Sequence, residues 1–478
     1  MRSSLQPVAL PQPCGGPVER FPPDRQEIGS GEEYTLKKTS LLGASAVLLV
    51  GAAIASVRVV DNGAAAHGRG SPPVAAANLA LAKVSPEARR DINYAQLDAR
   101  LKQLVTKPGM VGLAVGIVEN GRITFVNGYG ETQAGTGDKV TPQTVFRWAS
   151  CSKGVAATMV AKLAEQGKVK LDAPVVNYAP GLKLPAAAEY RATVSDLLSH
   201  RLGLPKHSFD NKLEEGEPVP MLKAQLATIG LGCAPHSCWS YQNVAYDGAS
   251  DIVARATGKS YQETVREQLF GPIGMTSASM TREGLMSSPS WARPHSIGRR
   301  PLEVTEPYYD VPSAGGVNSN IKDMALWMIA QTGAMPSVLS PRVLNALHAP
   351  LVKTPGERAR MRKFLERLGD AYYGLGWRSY DYAGHNIVGH RGGINGYRSL
   401  ILFDPAKKSG VVALWNSNTN QPGGLEFEVM DMLYHLPFRD WLELSKTRSR
   451  LVEPTDDTED SGSTQVASRS GGGLSRSR

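Results

Sequence analysis

Strand-forming sequence appears at two widely separated places in this chain of 478 residues, with helical sequence between them. Residues 111–118 and 122–129 are apolar and β-rich, and Asn120-Gly121 separates them. That dipeptide accepts the positive φ angles of a tight hairpin turn, so the two runs predict a hairpin. From about residue 372 strand signals return: 373–380, 385–388, 397–403 and 410–416 are short, β-rich and separated by turn residues. Strands must find partners and bury a face. The simplest packing is one antiparallel sheet assembled from both ends, with helices on its faces and a mostly helical lobe from the middle beside it. This is an α/β (α+β) architecture, and it places a ligand site where lobe and sheet meet.

The intervening sequence supports that division. A helix through Tyr94, Leu97, Leu101 and Leu104 precedes the first hairpin. Residues 195–200, 245–256 and 323–331 read as helices, the last entered through Ala314-Gly315-Gly316-Val317-Asn318-Ser319. Residues 424–435 read as a closing helix. Residues 1–36, rich in Pro, Gly and charge, read as a disordered or mis-annotated extension. Residues 37–60 carry Lys37-Lys38 and then the uncharged, mostly apolar run 41–57, followed by small residues. This is the layout of a signal peptide, or of a membrane anchor at the short end of the ~17–25 residues that span a bilayer. Translation beginning at Leu36, read as an initiator Met, would give an ordinary bacterial leader. The Ala/Gly/Ser/Pro-rich stretch 61–88 reads as a linker, 89–445 as the folded domain, and 446–478 as a disordered tail. The folded part is expected to be exported, periplasmic or anchored facing the periplasm, and to meet membrane only through its N-terminal segment.

Composition narrows the function classes. A net charge of +9 is spread along the chain and forms no basic run interleaved with aromatics, so nucleic acid is not implied. The four cysteines make no C-x-x-C pair, no His/Cys cluster has metal-ligand spacing, and no G-x-G-x-x-G follows a strand. Neither a metal nor an organic cofactor is expected. A small molecule or peptide is left as the expected partner, and nothing in the sequence fixes the oligomeric state.

Chemistry is concentrated in Phe146-Arg147-Trp148-Ala149-Ser150-Cys151-Ser152-Lys153 and the run after it. Val155, Met159 and Leu163 recur at helical spacing and predict a helix with one apolar stripe. Ser150 lies near its start, and Lys153, three residues on, shares its face. A bare hydroxyl is a poor nucleophile and needs a neighbouring base. S-x-x-K alone more often describes a helix cap with a solvated lysine, and Ser319-Asn320-Ile321-Lys322 fits the same pattern. Two later motifs give Ser150 its weight. In Trp239-Ser240-Tyr241-Gln242-Asn243, an extended backbone would point Tyr241 and Asn243 the same way. A phenol beside an amine can shuttle a proton, and a carboxamide can bond both lysine and substrate. In Gly389-His390-Arg391-Gly392-Gly393, His390 can transfer protons and the glycines let a ligand approach the backbone closely. Cys151, one residue past Ser150, turns off the Ser150/Lys153 face and reads as a small buried apolar residue.

The order S-x-x-K, Y-x-N, then H-x-G on a late strand resembles the penicillin-recognising serine hydrolases. The resemblance is to the class C β-lactamase-like branch, with its D-alanyl-D-alanine carboxypeptidases, D-aminopeptidases and esterases. Val145–Ser150, 197–205, Ala314-Gly315-Gly316-Val317 with Asp323, and Tyr373-Gly374-Leu375-Gly376-Trp377 are similar to the same branch, over residues 90–440 in all. The resemblance implies a β-lactamase/transpeptidase-like fold and an acyl-serine mechanism. It makes Ser150 the nucleophile, and Lys153 and Tyr241 the pair sharing general-base and acid duty. Asn243 then positions substrate and lysine, His390, Arg391 and Gly392 meet the substrate, and the backbone N–H groups of Ser150 and Gly393 hold the oxyanion. Where many β-lactamases have Lys and then Thr or Ser, this chain has His390 and Arg391. The arginine fork suits a substrate carboxylate. The leading expectation is an exported acyl-serine hydrolase of esters, amides or D-amino-acid peptides. The alternatives are a true class C-type β-lactamase and a catalytically silent penicillin-binding sensor. Cys233 and Cys238 lie just before Tyr241, and in an exported protein a disulfide between them would stiffen that loop.

Overall fold

The structure, a computed structural model, describes residues 91–445. The expected extension at 1–36, leader or anchor at 37–60, linker at 61–88 and tail at 446–478 lie outside the described residues. The strands are β1 (Gly112–Glu119), β2 (Arg122–Gly130), β3 (Val145–Arg147), β4 (Asn318–Asn320), β5 (Val352–Lys353), β6 (Leu368–Tyr373), β7 (Arg378–Tyr382), β8 (His385–Ile394), β9 (Tyr397–Asp404) and β10 (Ser409–Trp415). Eight of them form one antiparallel sheet in the order β2-β1-β10-β9-β8-β7-β6-β5, and β3 pairs with β4 apart from it. The register Leu113↔Trp415 through Val118↔Gly410 joins the two ends of the domain, as the separated strand signals require. Asn120 and Gly121 both adopt positive φ, 51° and 73°, which closes the first hairpin.

Side-chain alternation gives the sheet two buried faces. On the far face, Leu113, Val115 and Ile117 of β1 and Val411 and Ala413 of β10 share a core with two helices. These are α1 (Tyr94–Leu104), through Leu97 and Leu101, and a closing helix (Leu425–Leu433), through Phe427 and Met430. On the near face, Ala114, Val118, Val412 and Leu414 join the larger core of the helical lobe. At its centre lies α2 (Ser152–Glu165).

Three local expectations are corrected. The helix α2 does not present one apolar stripe. Eleven of its 14 residues are buried, because it runs through the lobe with packing on all sides. Gly154 is part of that packing: a Cβ there would lie 2.6 Å from the Trp377 ring. The stretch 373–380 is not one strand, since Gly374-Leu375-Gly376-Trp377 breaks it into β6 and β7 and turns back onto the lobe. His390 to Gly393 lie within the ten-residue strand β8, not in a turn between strands. The helix signals at 195–200, 245–256 and 323–331 correspond to Val194–Leu198, to Ala245–Asp247 followed by Gly248–Thr257, and to Ile321–Gln331.

Candidate active site

Ser150 lies in a single 3₁₀ turn, Ala149–Cys151, which leads from β3 into α2. Ala149 holds φ at +47°, a left-handed value that a non-glycine residue keeps only where its surroundings impose it. Those surroundings are specific. The Trp148 N–H donates to Val317 O (2.8 Å), Ser399 Oγ donates to Trp148 O (2.5 Å), and the Val317 N–H donates to Ser152 Oγ (3.0 Å). The 314–317 stretch on one side and strand β9 on the other therefore clamp the turn. Gly392 of β8 packs directly beneath it. A Cβ at that position would lie 2.2 Å from Trp148 O and 3.0 Å from Ser150 N, so only glycine lets strand and turn approach.

Lys153, in the first turn of α2, is fully buried, and Ser150 is 6% exposed. The Lys153 Nζ lies 3.3 Å from Ser150 Oγ and donates to Asn243 Oδ1 (2.7 Å) and to Ala314 O (3.0 Å). It also lies 4.5 Å from the centroid of the Tyr241 ring. Ser150, Lys153, Tyr241 and Asn243, drawn from two distant stretches, are thus brought together. The competing S-x-x-K resolves the other way: Ser319 Oγ is buried, accepts from Trp148 Nε1 (2.9 Å) and donates to Asn320 O (2.7 Å). It braces the fold behind Ser150.

His390 faces the lobe. Its Nε2 lies 3.1 Å from the Tyr373 hydroxyl, and its Nδ1 lies 2.7 Å from Arg391 O. A ring nitrogen against a carbonyl must donate, which places the proton on Nδ1 and leaves Nε2 to accept from Tyr373. Arg391 is corrected. Alternation along β8 turns it to the far face, where its guanidinium pairs with Glu426. It does not join Ser150 and Lys153. Past Gly389, β7 no longer pairs with β8, so the segment from His390 to Ile394 runs on with β9 alone as its partner strand. Gly393 lies in this segment.

The motif pattern did not single out the residues behind these groups. Asn243 Nδ2 donates to Asp210 Oδ2 (2.7 Å), and His207 Nδ1 lies 2.7 Å from the same oxygen. His200 is buried beside Tyr241, with ring centroids 4.3 Å apart, and its Nδ1 accepts from the Gln242 N–H (3.2 Å). Burial and then the positive charge of Lys153 hold its pKa well below the ordinary imidazole value. The chain bore a signal for His200, which ends the Leu197-Leu198-Ser199-His200 stretch. For Asp210 it bore none.

Cys233 and Cys238 form a disulfide. Its loop is tied to the segment after His200, through Cys233 N–H to Gly203 O (3.4 Å) and His236 N–H to Arg201 O (2.9 Å). The loop leads straight into Trp239-Ser240-Tyr241. Cys151 is buried, with Sγ donating to His390 O (3.4 Å). Among the described residues no group of three His, Cys, Asp or Glu could hold a metal ion, and no helix is long and apolar enough to cross a membrane.

A sheet built from both chain ends, a helical lobe against it, and a serine–lysine turn at their junction define a β-lactamase/transpeptidase-like protein. The chain belongs to the beta-lactamase family, whose model matches residues 97–431. Unguisins hydrolase ungD' of Aspergillus campestris is 27% identical over 351 residues, covering 70% of this chain and 63% of that protein. The D-alanyl-D-alanine-carboxypeptidase/endopeptidase AmpH of Escherichia coli K12 is 31% identical over 225 residues, covering 46% and 57%. The chain therefore spans about 57–63% of the length of these curated relatives. Among solved structures, the octameric penicillin-binding protein homologue from Pyrococcus abyssi has the same fold, with a TM-score of 0.65 at 22% identity over 72% of this chain and 78% of that one.

Proposed function

We propose that this protein is a serine hydrolase that forms an acyl-Ser150 intermediate on an amide or ester bond, with D-amino-acid peptides as the substrate class. The observation that carries this reading is the Lys153 amine 3.3 Å from Ser150 Oγ, held there by Asn243 and Ala314 O. Ser150 Oγ attacks the substrate carbonyl carbon while its proton passes to the Lys153/Tyr241 pair. The new oxyanion is held by the backbone N–H groups of Ser150 and Gly393, each such donor contributing about 3 kcal/mol in the transition state. The same pair returns the proton to the leaving amine or alkoxide. A water then attacks the acyl carbon, gives up its proton to the pair, and frees Ser150.

Three features support a peptide or ester over a β-lactam. His390 stands where many β-lactamases have lysine, Arg391 turns away to Glu426, and two relatives are named as hydrolases of peptides or unguisins. Export through a leader or anchor at 37–60, ahead of a linker and a single hydrolase domain at 89–445, completes the proposal. The Cys233–Cys238 disulfide supports it, since such bonds persist in oxidising compartments.

Intact-mass analysis after treatment with a fluorophosphonate and with a labelled penicillin tests the reading, on wild type and on Ser150→Ala. One covalent adduct on wild type, mapped to Ser150 and absent from Ser150→Ala, is expected. An adduct that survives in Ser150→Ala, or none with either probe, overturns it. Rapid nitrocefin turnover would shift the substrate class to β-lactams.

A further inference from the structure

We propose that the far face of the sheet carries a second binding site, a pocket for a small organic carboxylate. A cavity of about 160 Å³ opens there, with Arg360, Lys363, Arg391 and Arg398 in its wall beside Trp415 and Asn420, and no acidic side chain lines it. Its position is fixed by alternation. Ser399 sends its hydroxyl to Trp148 O on the near face, so Arg398 and Leu400 on either side point to the far face, and Arg391 reaches Glu426 there. The pocket is thus separated from Ser150 by the thickness of β8 and β9.

Arg398 makes this more than a basic patch. It is 7% exposed, and its Nη1 donates to Ile394 O (2.7 Å), Tyr397 O (2.8 Å) and Asn418 Oδ1 (3.1 Å). Its buried Nε has no hydrogen-bond partner among the described residues. Those partners are neutral, whereas Arg360, Lys363 and Arg391 each have a carboxylate, Glu357, Glu443 and Glu426. Burial pulls the Arg398 pKa down to about 10, with no acid opposing it. A buried guanidinium without a counter-charge is costly to keep, and a ligand anion supplies the missing charge. A carboxylate matches the planar fork. The apolar wall of Trp415, Phe364 and Leu400 gives an organic body somewhere to lie, which a bare phosphate would leave unused.

Titration calorimetry with benzoate, acetate and inorganic phosphate tests this on the full chain, using wild type, Ser150→Ala, Arg398→Gln and Lys363→Ala. Benzoate is expected to bind wild type and Ser150→Ala alike at one site. Arg398→Gln should weaken it about tenfold or more, and Lys363→Ala about threefold. Lys363 is surface-accessible, so its variant keeps the test open if Arg398→Gln fails to fold. No saturable binding of benzoate, binding undiminished in both pocket variants, binding lost in Ser150→Ala, or phosphate preferred over benzoate would each overturn the proposal. A protein that takes the Ser150 adduct but no benzoate sinks this site alone. One that binds benzoate but takes no adduct sinks only the hydrolase reading.

Discussion

Two buried basic side chains lie on opposite faces of one sheet, and their surroundings differ. Lys153 is clamped by Ser150 Oγ, Asn243 Oδ1 and Ala314 O, and Asn243 leads on to the Asp210 carboxylate. Arg398 is held by oxygens of its own hairpin and of Asn418, and it lines a cavity. Burial alone therefore assigns neither group a role. In the proposed mechanism an amine tied at one end to a nucleophile and at the other to a chain of hydrogen bonds takes the nucleophile's proton in its neutral form. A cation facing open space with neutral partners is positioned to receive an anion.

The sharpest way to break that contrast is to replace each basic side chain with an uncharged one. Lys153→Met should lower the rate of Ser150 acylation by about 10³-fold or more, the scale of losing a base that acts with its nucleophile as a unit. Thermal stability should fall modestly, because Asn243 Oδ1 and Ala314 O lose their buried donor. Arg398→Gln should change acylation less than about threefold, within the range of remote substitutions. Stopped-flow acylation with calorimetric melting reads both. Equal losses of acylation in the two variants would erase the distinction between the faces.

The next largest effect tests whether the chain behind Lys153 matters. Asp210 is buried and accepts from Asn243 Nδ2, which orients the carboxamide so that its oxygen faces Lys153. Asp210→Leu removes that acceptor and lets the carboxamide rotate. A fall of about 10- to 100-fold in kcat is expected, corresponding to ~1.4–2.7 kcal/mol of transition-state stabilisation. KM should change little, and Asp210→Glu should recover part of the loss. A change confined to KM, or to melting temperature with kcat intact, would reduce Asp210 to a structural brace.

The reach of the sequence follows the range of the interactions. Local signals were legible. Asn120-Gly121 turned where its φ preference requires, and the helix from Tyr94 to Leu104 follows its apolar spacing. The Ser150/Lys153 pair could be read because one helical turn fixes its geometry. Tyr241 and Asn243 could be placed beside it only through the resemblance, since no spacing within 239–243 reports contact with residue 153. Arg391 was misplaced because the resemblance carried it to the substrate by motif position, and motif position does not report which face of the sheet a side chain takes. Glycines that read as a turn are in fact the close-packed part of a strand, and with the strand extended, alternation sends Arg391 to the far face. Asp210 and the cavity around Arg398 were illegible, because each is completed by distant chain segments.

The smallest effect concerns protons and not activity. His200 is a third buried basic group, and it stays neutral. Its Nδ1 accepts from the Gln242 N–H, so the ring proton sits on Nε2, and among the described residues Nε2 has no hydrogen-bond partner. Burial, with Lys153 nearby, lowers its folded pKa well below the ordinary ~6.5 of the unfolded chain. Above that pH both states are neutral and the group costs nothing. As pH falls below it, the unfolded chain takes a proton that the folded one refuses, and stability declines. One such group contributes up to about 1.4 kcal/mol per pH unit in that window. His200→Gln keeps an acceptor for the Gln242 N–H but does not titrate. Its unfolding free energy should therefore fall less steeply than that of wild type as pH drops below the ordinary imidazole range. Denaturant unfolding at closely spaced pH values measures this, and parallel slopes for the two proteins would mean that His200 takes up its proton in the folded state, contrary to the burial seen here.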